Sequence, residues 1–474
     1  MANVTFNFDA KFGFSLIDIS TNGSPYSSSQ QYSWVTPYGA AKVVFLGAGF
    51  AFDDDGYPSG GTVSQMTVNV SGGDVDMTVT GLSFDFKELS EEGYTKAQMY
   101  TILWHLVLAG DDLIDFSAIL PNANAFQGTA FAGDGAGAGP EAVVEGGNDK
   151  IIGQFSFGTI CGDLMSVSEY SSLHGGDDTI EMSGDANGKL FGDTTDVWGS
   201  VVGGNDRVSG GVGISKISGD VSFVSLGASL VGGDDTLNLT APGTAIGDVE
   251  ISFGGMISAG NDTISGSKGS DVLSGDIIRC DYRDYLRPGD DVIHGNGGDD
   301  QILGDWQEIE VGVRVKSTGT GNDLLYGDAG NDTVSGNSGN DVIFGGSGDD
   351  VLNGGDGRDT LAGASGADTF LFSAILKSAN VDTVTDFNHA ADSFELDNAV
   401  FAGMKAGKLA SVAFTTIPSA TSTAGVDGSD RILYDKAHGD LYFDRDGSAS
   451  THDRVLFAQV DDRTSVDHAD FLIV

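Results

Sequence analysis

From Gly327 to Leu371 the chain repeats itself every nine residues: GDAGNDTVS, GNSGNDVIF, GGSGDDVLN, GGDGRDTLA, GASGADTFL. The five units follow one another without a break. Glycine holds the first and fourth positions, as Gly327 and Gly330, Gly336 and Gly339, Gly345 and Gly348, Gly354 and Gly357, then Gly363 and Gly366. The sixth position is Asp332, Asp341, Asp350, Asp359 and Asp368; the eighth is Val334, Ile343, Leu352, Leu361 and Phe370. Glycine permits backbone conformations with positive φ and close approach of neighbouring turns. The apolar eighth residue sits on a short strand and points inward. A nine-residue unit cannot bury its apolar side alone, so successive units must stack into a solenoid.

The aspartates give that solenoid a chemistry. Each supplies a hard carboxylate oxygen beside a glycine-rich turn that exposes carbonyls, a donor set suited to Ca²⁺, which takes roughly 6–8 oxygen ligands in irregular geometry. The units resemble the RTX family (repeats-in-toxin, the hemolysin-type calcium-binding repeat), whose pattern is G-G-x-G-x-D-x-(apolar)-x. The resemblance implies a parallel β-roll with alternate turns on its two sides and Ca²⁺ between stacked turns. On that basis the expected metal ligands are Asp262, Asp271, Asp291, Asp300, Asp323, Asp332, Asp341, Asp350, Asp359 and Asp368, with the turn glycines Gly327, Gly330, Gly336, Gly339, Gly345, Gly348, Gly354 and Gly357.

A longer period precedes the nonapeptides. A Gly-x-Asp motif recurs at Asp149, Asp178, Asp206, Asp235, Asp262 and Asp291, 27–29 residues apart. A Gly-Asp motif recurs in phase with it at Asp134, Asp163, Asp193, Asp220, Asp248, Asp276 and Asp305. Apolar positions nine residues apart, such as Val208 and Ile217, alternate with legs of 20, such as Ile217 to Leu237. Each coil is therefore an 18-residue turn with about eleven residues added between the two motifs. The additions, such as Val221–Gly232, Val249–Ala259 and Ile277–Pro288, predict a third strand per coil; a two-stranded roll with protruding hairpins is the rival arrangement. Full motifs on the second edge begin at Asp271, since Ser215 stands in the earlier copy. The expected fold class is thus all-β: a parallel β-solenoid of about 28-residue coils leading into a regular nonapeptide roll. A small α+β amino-terminal cap and a β-rich carboxyl-terminal cap complete it. The expected segments are 1–109 (amino-terminal cap), 110–325 (long-period solenoid), 318–371 (nonapeptide roll) and 372–474 (carboxyl-terminal cap).

Charge narrows the partners. The chain has 474 residues with a formal net charge of −46. It should repel nucleic acid and anionic membranes, and resist compaction until cations neutralise it, so folding and Ca²⁺ uptake are expected to be coupled. Its two cysteines, Cys161 and Cys280, form no disulfide framework and are expected as buried free thiols. No apolar run is long enough to span a bilayer as a helix, and no amino-terminal export signal is visible. Residues 1–109 carry strand candidates at Val4–Phe8, Lys42–Leu46, Thr62–Val70, Val75–Thr80 and Leu82–Phe86, and a helix near Thr95–Leu108 that contains His105.

Beyond the roll, Asp382–Phe387 with Ala391–Leu396 resembles the segment that follows the roll in serralysin-type secreted proteins. Arg431–Asp435, Gly439–Asp444 and Val455–Ala458 read as strands, and Asp444-Arg-Asp446-Gly as an Asp-Gly turn, with one more Ca²⁺ held by Asp444 and Asp446 as the alternative. The ending Asp470-Phe-Leu-Ile-Val474 is similar to type I export signals of the family and also reads as a closing strand. The resemblance implies a secreted, extracellular protein that uses type I secretion machinery. Neither H-E-x-x-H, nor G-x-S-x-G, nor a phosphate-binding P-loop occurs. The leading expectation is a calcium-binding structural, surface or adhesion protein, with extracellular polysaccharide or a cell surface as partner. A polysaccharide-active lyase or epimerase is the alternative, with the Tyr- and Arg-rich stretch Cys280–Arg287 as its one candidate site. A pore-forming toxin is a weaker third.

Overall fold

A computed structural model describes residues 143–474 apart from 156–158, 185–187, 281–284, 309–315, 318, 424, 448–453 and 462–463, and the backbone of eight strands ahead of residue 143. The chain forms two compact units, Met1–Thr236 and Leu237–Val474.

In the first unit, parallel strands stack coil upon coil. One sheet runs through Leu113–Phe116, Lys150–Phe155, Thr179–Gly184 and Arg207–Gly210, a second through Ala130–Ala132, Thr159–Cys161, Gly188–Phe191 and Ile214–Ser218. Register follows the apolar positions: Ile151 lies beside Ile180 and Ile180 beside Val208, while Ile160, Leu190 and Ile217 form the facing row. All six are buried, each removing about 1.5–3 kcal/mol of apolar surface from water.

The inserts correct the expectation of a third strand. Each supplies two. Val221–Val224 stacks on Thr194–Val197, which stacks on Leu164–Val167; Ser229–Val231 stacks on Ser200–Val202, which stacks on Ser172–His174. Both strands pair with the coils above and below and not with each other, so no hairpin forms. The bend that divides them falls at Gly227, where φ is +82°, a value glycine adopts without the Cβ penalty. Long coils are therefore four-sided.

The amino-terminal strands join this stack. Asn3–Phe6 runs parallel to Leu113–Phe116 and antiparallel to Val75–Asp85, which continues antiparallel through Pro58–Val70, Ala41–Phe52 and Gln30–Val35 to Ile19–Thr21. The five strand candidates read in this region fall on these segments, the last two merged into one. The helix expected at Thr95–Leu108, with His105, lies outside the described residues.

The second unit repeats the four-sided plan and then narrows. Val249–Ser252, Ile277–Cys280 and Trp306–Glu308 form its third sheet; Met256–Ser258, Tyr285–Arg287 and Lys316–Ser317 form its fourth. No later strand of either sheet follows among the described residues. From Leu324 onward only two sheets continue, with Leu325, Ile343 and Leu361 in register on one and Val334, Leu352 and Phe370 on the other. That is the eighteen-residue spacing of alternate nonapeptides. The carboxyl-terminal region closes the roll. Asp382–Val384 adds to one sheet and is followed by Arg454–Val460, Asp440–Asp444, Ile432–Asp435 and Phe414–Ile417; Ser393–Leu396 and Phe471–Ile473 add to the other. Phe370, Phe372, Phe387, Phe394, Phe457 and Phe471 pack ring to ring over the last coil. They cover the apolar end that a repeat array otherwise leaves bare. No helix among the described residues is long and apolar enough to cross a membrane.

Candidate metal centres

The corners of the coils carry columns of buried aspartate. The first column enters the first sheet. Its side chains are tied by one recurring bond: the backbone N–H of each aspartate donates to Oδ1 of the aspartate one coil further on. Asp149 donates to Asp178, Asp178 to Asp206 and Asp206 to Asp235, at 2.6, 2.7 and 2.6 Å. In the second unit an equivalent column runs from Asp262 through Asp291, Asp323, Asp341 and Asp359 to Asp382, with distances of 2.7–3.2 Å. The second column enters the facing sheet and links Asp271, Asp300, Asp332, Asp350, Asp368 and Asp392 in the same manner, at 2.7–3.1 Å. All ten aspartates expected as ligands thus fall on these two columns. In the first unit Ser215 stands where the second column lacks its carboxylate, and its hydroxyl donates to the Gly188 carbonyl.

Oδ1 is spent on holding the preceding turn. The second oxygen, Oδ2, accepts a further backbone N–H in Asp271 and Asp392, from Ser267 and Asn388. In Asp206, Asp291, Asp300, Asp323, Asp332, Asp341, Asp350 and Asp359 this second oxygen is buried and has no hydrogen-bond partner among the described residues. A buried, unmatched carboxylate oxygen carries a heavy desolvation cost. The same burial disfavours the ionised carboxylates. Burial pushes Asp332 up to about 6, Asp300 and Asp323 to about 7 and Asp341 to about 8, with neighbouring carboxylates adding to the burial effect. Asp206 and Asp291 are raised well above the usual carboxylate range for the same first reason.

The glycines frame the leftover oxygens. A Cβ at Gly336 would overlap Asp341 Oδ2 and crowd the Gly354 carbonyl; Gly327, Gly345 and Gly354 face the aspartate of their own unit likewise. The fourth-position glycines play a second part: a Cβ at Gly339 would run into the carbonyl of Gly321, and Gly330, Gly348 and Gly357 meet the carbonyl one coil back. Each turn is thereby a cradle of carboxylate and carbonyl oxygens with no side chain inside it. That donor set fits a hard divalent cation.

A model of the RTX calcium-binding nonapeptide repeat matches the chain in four copies, at residues 258–277, 287–307, 317–343 and 335–370. The chain carries RTX calcium-binding repeats. The matched segments contain both aspartate columns of the second unit from Asp262 to Asp368. No curated protein matches the chain. RTX repeats bind multiple Ca²⁺ ions, and the cradles just described are where such a repeat presents its oxygens.

Two features escaped the sequence reading. The columns run one step past the last RTX unit, to Asp382 and Asp392, which keep the Asp-x-apolar pattern after the glycines have gone. The Gly-Asp aspartates form a third buried column, at 0 % exposure for Asp163, Asp193, Asp220, Asp248, Asp276 and Asp305. Their in-phase spacing was the signal, though it did not by itself say where the side chains point. Elsewhere the readings sit plainly. Cys161 and Cys280 are buried and take part in no disulfide. Asp444 Oδ1 accepts the Gly447 N–H at 3.0 Å, with Gly447 at φ +62°, which is an Asp-Gly turn. Of the Tyr- and Arg-rich stretch, Leu286 is buried and Tyr285 half exposed, while residues 281–284 lie outside the described residues.

Proposed function

We propose that this chain is a secreted calcium-dependent scaffold that folds as Ca²⁺ fills its aspartate columns. Asp262, Asp271, Asp291, Asp300, Asp323, Asp332, Asp341, Asp350, Asp359 and Asp368 supply the carboxylates, and the first-position glycines lend carbonyls. One observation carries the reading: the buried Oδ2 atoms of Asp206, Asp291, Asp300, Asp323, Asp332, Asp341, Asp350 and Asp359 have no hydrogen-bond partner among the described residues. In a chain of net charge −46 these oxygens need positive charge from outside. When bound, the ion supplies that charge and links one coil to the next. The aspartates hold the turns in register through Oδ1 and offer Oδ2 to the ion.

Export follows from the same chemistry. A chain that stays expanded at low Ca²⁺ can pass a type I secretion channel and fold in an extracellular medium, where Ca²⁺ modules bind at roughly 10⁻⁴–10⁻³ M. A surface or adhesion role draws support from His294, Tyr326 and Phe344. These stack face to face on one sheet, with centroids 4.3 and 5.1 Å apart, and present a continuous, partly exposed strip of ring edges on which a partner's apolar surface can lie. Circular dichroism during Ca²⁺ titration of the chelated chain tests the folding claim: a β-sheet spectrum should appear cooperatively below millimolar Ca²⁺. A fully formed sheet in excess chelator at pH 8 would sink it. Binding to purified polysaccharides without product formation separates the scaffold from a polysaccharide-active enzyme.

A further inference from the structure

The Gly-Asp column faces inward, toward the first aspartate column across each long coil. In the first unit, Asp193, Asp206 and Asp220 each bring one carboxylate oxygen to a common point, all three within 4.8 Å of one another. Two oxygens on opposite sides of a calcium ion, each at about 2.4 Å, stand about 4.8 Å apart. Asp193 Oδ2 and Asp206 Oδ2 are buried without a hydrogen-bond partner, on side chains 0 % and 2 % exposed. Their other oxygens are occupied: Asp193 Oδ1 accepts the Gly204 N–H, and Asp206 Oδ1 accepts the Asp178 N–H. The wall between them is glycine. A Cβ at Gly192 would overlap Asp206 Oδ2 and the Gly219 carbonyl, and one at Gly203 would overlap Asp220 and crowd Asp193 Oδ2.

The second unit has aspartate at the three corresponding positions, Asp276, Asp291 and Asp305. Each leaves one buried carboxylate oxygen without a hydrogen-bond partner among the described residues, and a Cβ at Gly275 would overlap Asp291 Oδ2 and the Gly304 carbonyl. Here too the remaining oxygens are positioned, Asp276 Oδ1 by the Gly289 N–H and Asp305 Oδ2 by the Ser338 N–H and hydroxyl.

We propose that the four-sided coils hold divalent cations in their interior, at sites built by Asp193, Asp206 and Asp220 and again by Asp276, Asp291 and Asp305, with glycine carbonyls completing the oxygen shell. The insert cuts the nonapeptide turn in two, leaving its first glycine on one side and its aspartate on the other. The Gly-Asp carboxylate adds an oxygen donor where the turn was cut. This rests on the calcium reading of the columns and adds to it a class of site that takes three carboxylates per ion and sits at the cut turns of the long coils, apart from the unbroken nonapeptides of 327–371.

Crystals of the full chain soaked in Tb³⁺ test the idea by anomalous scattering. A peak is expected among Asp193, Asp206 and Asp220 and another among Asp276, Asp291 and Asp305, besides peaks at the Asp341 and Asp359 turns. Peaks at those turns with none at the interior trios would overturn the proposal and leave the calcium reading standing. No peak at any column would overturn both. Native mass spectrometry of the Ca²⁺-saturated chain gives a second readout: Asp193→Asn with Asp220→Asn should lose at least one ion, and Asp341→Asn with Asp359→Asn should lose ions from the roll only. An unchanged count in the first pair, beside a loss in the second, would mean that the interior carboxyls share protons instead.

Discussion

Asp341 has two separable jobs, and isosteric substitution distinguishes them. Asp341 Oδ1 accepts the Asp323 N–H at 2.9 Å, whereas its Oδ2 is buried without a partner. Asparagine keeps the acceptor and removes the charge. Asp341→Asn should therefore make the metal-free chain easier to fold while weakening its Ca²⁺ response. Asp341→Ala loses both jobs and should harm the chain with and without metal. A hydrogen bond to a charged group is worth about 1.5–3 kcal/mol, so Asp341→Ala, which loses that bond as well as the ligand, should raise the Ca²⁺ midpoint of folding roughly tenfold or more; Asp341→Asn should raise it less, and adding Asp359→Ala should raise it further. Midpoints from circular dichroism check this; an unchanged midpoint in the double variant would remove Asp341 and Asp359 from the ligand set. The pH response has a definite sign. Burial lifts Asp332, Asp300 and Asp341 from 3.8 to about 6, 7 and 8. In the metal-free state the folded chain therefore holds protons that the unfolded chain releases. Its stability is fullest below pH 4 and is lost as pH rises through 6–8. In chelator, the β-sheet signal should grow as pH falls from 8 to about 5.5. With Ca²⁺ present the trend reverses, since the ion must displace those protons, and calorimetry in buffers of differing ionisation heat should register proton release near pH 6–7.

At the scale of the strand and turn, the nine-residue frame was fully legible. The alternation of Val334, Leu352 and Phe370 on one sheet with Leu325, Ile343 and Leu361 on the other follows from spacing alone. So do the two aspartate columns and the carboxyl-terminal strands. The inserts were less legible because Val221–Gly232 alternates like one strand, and a single interior glycine does not announce a corner. Only the stacking of Val221–Val224 and Ser229–Val231 on different neighbours reveals two strands. The Gly-Asp spacing carries a rhythm but no direction, since direction across the coil depends on that same corner. Glycine's part can be tested at two positions. Gly339 has φ +150°, and a Cβ there would strike the Gly321 carbonyl, whereas Gly403 has φ +92° with open space around it. Gly403→Ala should cost about 1–2 kcal/mol of backbone strain. Gly339→Ala must also push two coils apart, so it should raise the Ca²⁺ midpoint well above the Gly403→Ala value in the same titration. Equal midpoints would show that the close approach of Gly339 to the preceding coil does not matter.

For the molecule as a whole, the balance is between apolar rows that favour stacking and a charge of −46 that opposes it. Ile151, Ile180 and Val208 in one unit, and Leu325, Ile343 and Leu361 in the other, are wholly buried. Yet every coil that buries one of them also buries an aspartate. Monovalent salt screens exposed charges over about 10 Å at 0.1 M but reaches buried ones far less, so ionic strength alone should not fold the chain. A divalent ion in the column acts at contact distance on the charges that matter. Small-angle scattering separates the two cases. In chelator with NaCl matched to the ionic strength of a CaCl₂ solution, the radius of gyration should stay near that of an expanded chain, for which 474 residues give roughly 80 Å. Micromolar-to-millimolar Ca²⁺ should contract it in a cooperative step that coincides with the rise of the β-sheet signal. Mg²⁺ should do so poorly, because it demands near-octahedral geometry and keeps its waters, and a rigid cradle of carboxylates and glycine carbonyls leaves no room for a hydrated ion. Contraction by NaCl to the same radius would place the barrier to folding in exposed charge and take the buried columns out of the explanation.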